Sequence, residues 1–510
     1  MSNSVSTVMG LLEQGAAEAN ALSAPGGVPL TYRTLRKLAA DTLVALNARG
    51  IGRNDRIAIV LDNGPEMAAA FLCVATGATA APLNPAYRAE EFEFYLTDLK
   101  AKLLIVGHET SSPAVDVAKR LAIPLVRLIP VPEEGAGNFT LEFPAGFAER
   151  PAEKSGTAQP EDIALVLHTS GTTSRPKIVP LSQRNVCASA KNISRTLALS
   201  ADDRGLNIMP LFHIHGLIAA LLAPMSVGGE VCCTTGFNAL KFFSWMAEMR
   251  PTWYTAVPTM HQAIVARAAK NVEVVKSSAL RFIRSSSSSL PPQVIAEVEQ
   301  TFGVPVIEAY GMTEAAHQMA SNPLPPGKRK PGTVGQAAGP ELRVIDSEGN
   351  SLPAGAVGEI AIHGENVMSA YENNEKANAE AFVKSWFRTG DQGVMDAEGY
   401  VTITGRLKEI INRGGEKISP REVDEVLMDH PSVQQCVTFS VPHDKLGEDV
   451  AAAVVLREGA EASEKDLREF AAKRLADFKV PRKILFLAEI PKGATGKLQR
   501  IGLAQKLGLA

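Results

Sequence analysis

A chain of 510 residues exceeds what one hydrophobic core organises, so two or more domains are expected. With 52 basic against 55 acidic side chains and a net charge of −3, it lacks the basic excess of a nucleic-acid binder. The longest apolar stretch, 216–227, contains Pro224 and is too short to span a bilayer. Met1-Ser2-Asn3-Ser4 lacks the basic-then-apolar pattern of a signal peptide, and the terminal Leu509-Ala510 is not a peroxisomal signal. Five scattered cysteines make no disulfide framework, so a reducing cytoplasm is the expected compartment, with Cys232-Cys233 at the end of a buried strand.

Apolar runs alternate with amphipathic stretches over most of the length. Residues 56–61 read as a strand and 66–76 as a helix. Strand patterns follow at 103–106, 163–168, 206–209, 230–233 and 252–255, then a helix at 293–302 and a strand at 305–309. This β-α alternation predicts an α/β fold with doubly wound parallel sheets. After the proline-rich and basic loop 322–330, short strands at 342–345, 359–363 and 400–404 are separated by Asp-Ser-Glu-Gly and Asp-Ala-Glu-Gly turns, which predict a small antiparallel barrel or sandwich. Beyond Arg406 the pattern mixes helix 420–428, strands 435–440 and 450–455, helix 464–475 and strand 483–487. That is enough for a separate α+β unit, and the expected division is 1–406 and 407–510.

Two segments carry the chemistry. The buried-strand pattern 163–168 breaks into Thr169-Ser170-Gly171-Thr172-Thr173-Ser174-Arg175-Pro176-Lys177. Backbone N–H groups in such a turn, together with hydroxyls and a lysine ammonium, form a concavity for anionic oxygens. The spacing is not that of a Walker A loop. The second segment is Pro491-Lys492-Gly493-Ala494-Thr495-Gly496-Lys497, more than three hundred residues away and close to the C-terminus.

The phosphate segment resembles the signature of the adenylate-forming superfamily of acyl-CoA synthetases, luciferases and peptide-synthetase adenylation domains. The other motifs follow in that superfamily's order: Pro210 to Gly216 resembles its acyl-pocket motif, Tyr310-Gly311-Met312-Thr313-Glu314 its adenine and magnesium motif, and Thr389-Gly390-Asp391 with Gly405-Arg406 its ribose elements. The stretch from Gly414 to Pro420 resembles its thioesterification loop, and Lys497 its catalytic lysine. Residues 168–177, 252–259, 281–285 and 321–325 are most similar to the oxalyl-CoA synthetase branch. Ser174 replaces a common glycine, as in that branch, and Ile178 stands where glycine usually follows the lysine.

The resemblance implies ATP, Mg²⁺ and coenzyme A, and two half-reactions: a carboxylate attacks the α-phosphorus of ATP, then a thiol displaces AMP. Its implied nucleotide site comprises Thr169, Ser170, Gly171, Thr172, Thr173, Lys177, Ser288, Glu308, Ala309, Tyr310, Asp391 and Arg406. Tyr310 would stack on adenine, and Asp391 with Arg406 would hold the ribose. Glu314 would hold Mg²⁺, Thr313 would bond the α-phosphate, and Lys497 would bridge the two reacting anions. Lys408 would be the hinge of a mobile C-terminal domain, and Gly414 with Gly415 would line the coenzyme A channel.

The implied acyl pocket is crowded with polar groups: His213, His215, Arg284, Ser287, Ser289 and His317. A buried second carboxylate needs such partners, so the pocket favours a small dianion, oxalate first. Alternatives are malonate or a short aliphatic acid, an enzyme that loads a carrier protein, and a non-enzymatic nucleotide-binding module. No carrier domain follows Ala510 in this chain, which favours coenzyme A as the acceptor.

Overall fold

Two large sheets organise the first part of the chain in a computed structural model that describes residues 5–147, 149–169, 176–492 and 498–510. The first has seven strands, in the order Phe139–Glu142, Leu125–Pro130, Leu103–Gly107, Arg56–Val60, Thr79–Pro82, Ile163–Thr169 and Lys177–Ser182. Its inner strands are parallel, as the alternation of strand and helix patterns predicts. Both outer pairs are antiparallel, which the β-α reading did not foresee. One of these pairs matters for function: Ile163–Thr169 returns as Lys177–Ser182, so Thr169 faces Lys177 directly across the ladder. Ile178, in the register next to His168, packs into a core with Ala58, Val60, Phe92 and Val166. A glycine there would leave a cavity in that core.

The second sheet has nine strands, and its parallel centre runs Val306–Met312, Phe282–Ser285, Trp253–Ala256, Arg204–Asn207, Glu230–Cys233 and Asn20–Ser23. His317–Ser321 adds antiparallel to Val306–Met312. The helix Pro65–Ala75 is apolar around its whole circumference, so it is buried throughout rather than on one face. Proline at its first turn and Glu66 beside the helix N-terminus suit that start. The apolar stretch expected to be too short for a membrane is a buried π-helix, His215–Leu222, continuing into Ala223–Met225. No helix among the described residues is long and apolar enough to cross a membrane.

Residues 341–406 form five antiparallel strands: Glu341–Ile345, Val357–His363, Phe382–Val383, Trp386–Met395 and Val401–Arg406. From Ile411 onward the described strands pair only with one another, around their own apolar clusters. That last sheet is antiparallel except where Lys483–Phe486 joins Gly447–Leu456 in parallel. A few polar ties hold it to the rest: the Ser419 hydroxyl donates to the Thr404 carbonyl, Arg421 donates to Ile403 O at 2.6 Å, and Gln262 donates to Gln434 O at 3.2 Å. All five cysteines are buried free thiols, and burial pushes those of Cys73, Cys187 and Cys232 up to about 12.

Candidate active site

The carboxyl ends of parallel strands are where α/β folds present ligand crevices. Thr169 and Arg284 stand toward such ends, and the described candidates form two groups, one suited to a nucleotide and one to an acid.

In the first group, Thr169 and Lys177 stand at the base of the phosphate segment. The Thr169 hydroxyl is buried with no hydrogen-bond partner among the described residues, an orphan that a phosphate oxygen would satisfy. Lys177 Nζ lies 3.8 Å from the centre of the Tyr371 ring. Burial lowers its basicity, Glu314 opposes that effect, and Lys408 adds to it. Glu314 is buried on the short turn Thr313–Ala315, and its Oε1 accepts from the Tyr371 hydroxyl at 2.7 Å. Thr313 opens that turn and is half-buried. Ser170, Gly171, Thr172 and Thr173 lie outside the described residues, as does Lys497.

Asp391 and Arg406 are register partners on adjacent strands, and Arg406 Nε donates to Asp391 Oδ1 at 2.9 Å. The Tyr310 hydroxyl donates to the other Asp391 oxygen. Burial and the neighbouring Asp391 both raise the Tyr310 hydroxyl well above its ordinary value. The ring expected to serve as a stacking face is thereby anchored by its hydroxyl to the carboxylate expected to hold the ribose. Ala309 is buried, and its carbonyl accepts from Ser286 at 2.9 Å. Glu308 is also buried; burial pushes its carboxyl up to about 8, against the lowering effect of the Gly332 N–H and nearby Arg421 and Arg329. Ser288 is exposed and Ser289 is half-buried.

Among the described residues no group of three or more His, Cys, Asp or Glu side chains forms a metal-binding cluster. Mg²⁺ does not need one, because it is commonly held by one or two carboxylates together with substrate phosphates. Glu314 beside Lys177 and Thr169 fits that arrangement.

The second group centres on Arg284, whose side chain is fully buried. Thr255 is its register partner on the neighbouring strand. Nη1 of Arg284 lies 3.4 Å from Thr255 Oγ1 and 3.5 Å from His215 Nε2, and Nη2 lies 3.3 Å from Gln318 Oε1. Its Nε has no hydrogen-bond partner among the described residues, and burial lowers the guanidinium to about 9. No carboxylate among the described residues pairs with it. His215 Nε2 meets Thr255 Oγ1 at 2.6 Å and Nδ1 meets Ser287 Oγ at 3.0 Å. A guanidinium can only donate, so the network is satisfied when Thr255 donates to Nε2 and His215 donates from Nδ1 to Ser287. The Ser287 hydroxyl proton is then free to donate onward. The Ser285 hydroxyl is a further buried group with no hydrogen-bond partner among the described residues.

His317 packs its ring against His215, with centroids 4.9 Å apart. Its φ of 103° and that of Ser287, 74°, lie in the left-handed region that side chains avoid. Such strain persists only where the surroundings impose it, and it concentrates at functional sites. At Gly311 a Cβ would come within 2.0 Å of the His317 carbonyl, so only glycine lets the chain pass there. His213 is half-buried, and its Nδ1 accepts from the His215 N–H at 3.2 Å.

The C-terminal candidates are partly visible. Lys408 is near enough to Lys177 to influence it. Gly414 and Gly415, at φ 61° and 102°, join Ile411–Arg413 to Glu416–Ile418 in a tight hairpin. Two consecutive positive φ values already demand glycine there, apart from any role in a channel. Arg500, three residues past Lys497, binds Asp424 at 2.9 Å and Glu409 at 3.1 Å.

Three residues of the site escaped sequence reasoning. Thr255 lay within a predicted strand, Gln318 lay beside His317, and Tyr371 lay in a stretch with no motif considered. Strand alternation relative to Arg284 could have found Thr255; nothing local marked Tyr371.

The hairpin base at Thr169 and Lys177, the buried Glu314 carboxylate and the Asp391–Arg406 pair suit an enzyme that binds AMP and its precursors. Sequence matching agrees: residues 13–372 match the AMP-binding enzyme family, and residues 422–497 match the AMP-binding enzyme C-terminal domain. The chain belongs to the AMP-binding enzyme family. It is 44% identical over 509 residues to an oxalate–CoA ligase of Arabidopsis thaliana, covering 98% of each chain. To an oxalate–CoA ligase of Saccharomyces cerevisiae it is 43% identical over 479 residues, covering 89% of this chain and 87% of the other. Among solved structures, ATP-bound MatB from Rhodopseudomonas palustris superposes with a TM-score of 0.88 at 28% identity, covering 98% of each chain.

Proposed function

We propose that this protein is an AMP-forming oxalate–CoA ligase. In the first step one oxalate carboxylate attacks the α-phosphorus of ATP and pyrophosphate leaves, giving oxalyl-AMP. In the second the coenzyme A thiol loses its proton, attacks the oxalyl carbonyl and displaces AMP. The observation that carries the choice of acid is Arg284. A fully buried cation surrounded by hydroxyls, an amide and a histidine, with no carboxylate among the described residues, is costly unless the substrate supplies the anion. An ionised carboxylate only accepts, and this pocket has donors to spare at Arg284 Nε, Ser285 and Ser287. His213, His317 and Ser289 are assigned to the same pocket, and a monocarboxylate with an apolar tail would leave the Arg284 guanidinium without a counter-ion.

The nucleotide is assigned to Thr169, Lys177, Tyr310, Asp391 and Arg406, with Ser170, Gly171, Thr172 and Thr173 completing the phosphate segment. Bound Mg²⁺, held by Glu314 and phosphate oxygens, would neutralise charge on the polyphosphate. Thr313 is assigned to the α-phosphate. Lys497 is assigned to the approach of the two anions, carried by a mobile unit of residues 407–510 that turns at Lys408 against the body 1–406. After adenylation the hairpin at Gly414 and Gly415 would line the coenzyme A path. We place the reaction in the cytoplasm, where five buried reduced thiols are at home.

Pyrophosphate release with a panel of carboxylates, with and without coenzyme A, tests the reading. Release with oxalate and formation of oxalyl-CoA is the expected result. Release with malonate or medium-chain acids and none with oxalate would replace the substrate while leaving the adenylation chemistry in place.

A further inference from the structure

We propose that Tyr371 is a positioning residue that holds Lys177 and Glu314 apart, so that each stays available to the nucleotide and its metal. This rests on the assignment of Lys177 to phosphate and of Glu314 to Mg²⁺, and it holds for whichever acid is activated. The two side chains carry opposite charges and attract one another, yet no direct ion pair joins them. Tyr371 stands between: its ring face lies 3.8 Å from Lys177 Nζ, and its hydroxyl donates to Glu314 Oε1 at 2.7 Å. A phenol is protonated at neutral pH and a carboxylate only accepts, so the Tyr371 hydroxyl is the donor to Glu314.

The ring is held firmly. The Tyr371 N–H donates to Asn378 Oδ1 at 2.8 Å, and Asn378 Nδ2 donates back to the Tyr371 carbonyl at 2.8 Å. The next residue, Glu372, donates its N–H to Ile178 O at 3.2 Å and pairs through its side chain with Arg56. Tyr371 is thus tied to the strand that carries Lys177. A buried lysine–glutamate pair would be expensive to open when ATP and Mg²⁺ arrive, because each charge would be stranded in turn. A cation–π contact and a single phenol hydrogen bond are each weaker than a desolvated ion pair, so both can be exchanged for ligand contacts.

The test uses the full-length protein and the acid that supports turnover, with Tyr371→Phe and Tyr371→Leu compared beside Lys177→Ala and Glu314→Gln. Tyr371→Leu, which lets the two charges collapse onto each other, should raise both the KM for ATP and the Mg²⁺ concentration for half-maximal rate by about tenfold. The KM for the acid should stay within about twofold. Tyr371→Phe keeps the stacked ring, so its ATP KM should remain near wild type while its Mg²⁺ requirement rises several-fold. If Tyr371→Leu does not fold, the Phe variant alone decides through that split between ATP and Mg²⁺. Parallel increases for ATP and acid, or no change in either variant, would overturn the proposal. If Lys177→Ala and Glu314→Gln also leave ATP and Mg²⁺ dependence unchanged, the nucleotide-site assignment itself is at fault.

Discussion

The nucleotide half and the acid half of the site handle charge in opposite ways. Around Asp391 the ionic groups are already matched: Arg406 and Tyr310 both bind its carboxylate, and Glu314 rests against Tyr371 while Lys177 rests on that ring. Around Arg284 the guanidinium is sealed in with neutral partners, and its nearest hydrogen bonds are long. A nucleotide brings many contacts and can rearrange weak ties without loss of fit. A two-carbon acid offers little surface, so its recognition must come from charge that the pocket cannot satisfy by itself. On the proposed assignment, the paired half would suit ready exchange of ligand contacts and the unpaired half would suit discrimination.

Three substitutions sharpen or break that contrast. The largest effect is expected at Lys497, which in the proposed mechanism would act only during adenylation. Lys497→Ala should cut acid-dependent pyrophosphate release about 10³-fold, in line with loss of a preorganised charge, and leave thiolation of supplied acyl-adenylate nearly intact. Equal loss in both half-reactions, measured separately, would contradict the alternating C-terminal unit.

Next comes Arg284→Met. Removing the counter-ion for a buried carboxylate should lower kcat/KM for oxalate by about 150- to 5,000-fold, from about 3–5 kcal/mol for a broken buried pair. The unliganded protein should be no less stable and its melting temperature unchanged or raised, because an unpaired buried cation is replaced by an apolar chain of similar length. A drop in thermal stability together with unchanged oxalate kinetics would make Arg284 a structural residue.

The smallest effect concerns Glu308, which lies on the paired side yet carries a carboxyl raised by burial to about 8. A carboxyl raised in the folded state adds stability that is complete below its ordinary value and is lost as pH rises through about 8. Glu308→Gln should therefore melt a few degrees higher than wild type at about pH 9, with the difference vanishing near pH 4, as the linkage requires. Thermal unfolding across that range without nucleotide measures it; a constant offset at every pH would mean that Glu308 titrates alike in the folded and unfolded chain.

Much of the architecture was legible because its signals are local. The helix expected at 293–302 is Pro292–Phe302, and that expected at 66–76 is Pro65–Ala75, since apolar periodicity and a proline at the first turn act within a few residues. The antiparallel outer strands were missed because a run such as Lys177–Ser182 reads the same whichever direction its neighbour takes. The candidate ribose pair could be named from two short motifs, yet the hydroxyl of Tyr310 on Asp391 spans 81 positions and leaves no trace in either motif.

By itself the sequence determined the family, the order of the elements and most of the chemistry-bearing side chains, because each motif is a short contiguous stretch whose residue types must suit an anion. Tertiary structure alone decided which charges are compensated. Arg284 becomes an unpaired buried cation, and Tyr371 a divider between Lys177 and Glu314, only when strands and loops far apart in the chain pack together. Burial and partnership belong to the packed molecule, since they depend on long-range neighbours that local composition does not specify.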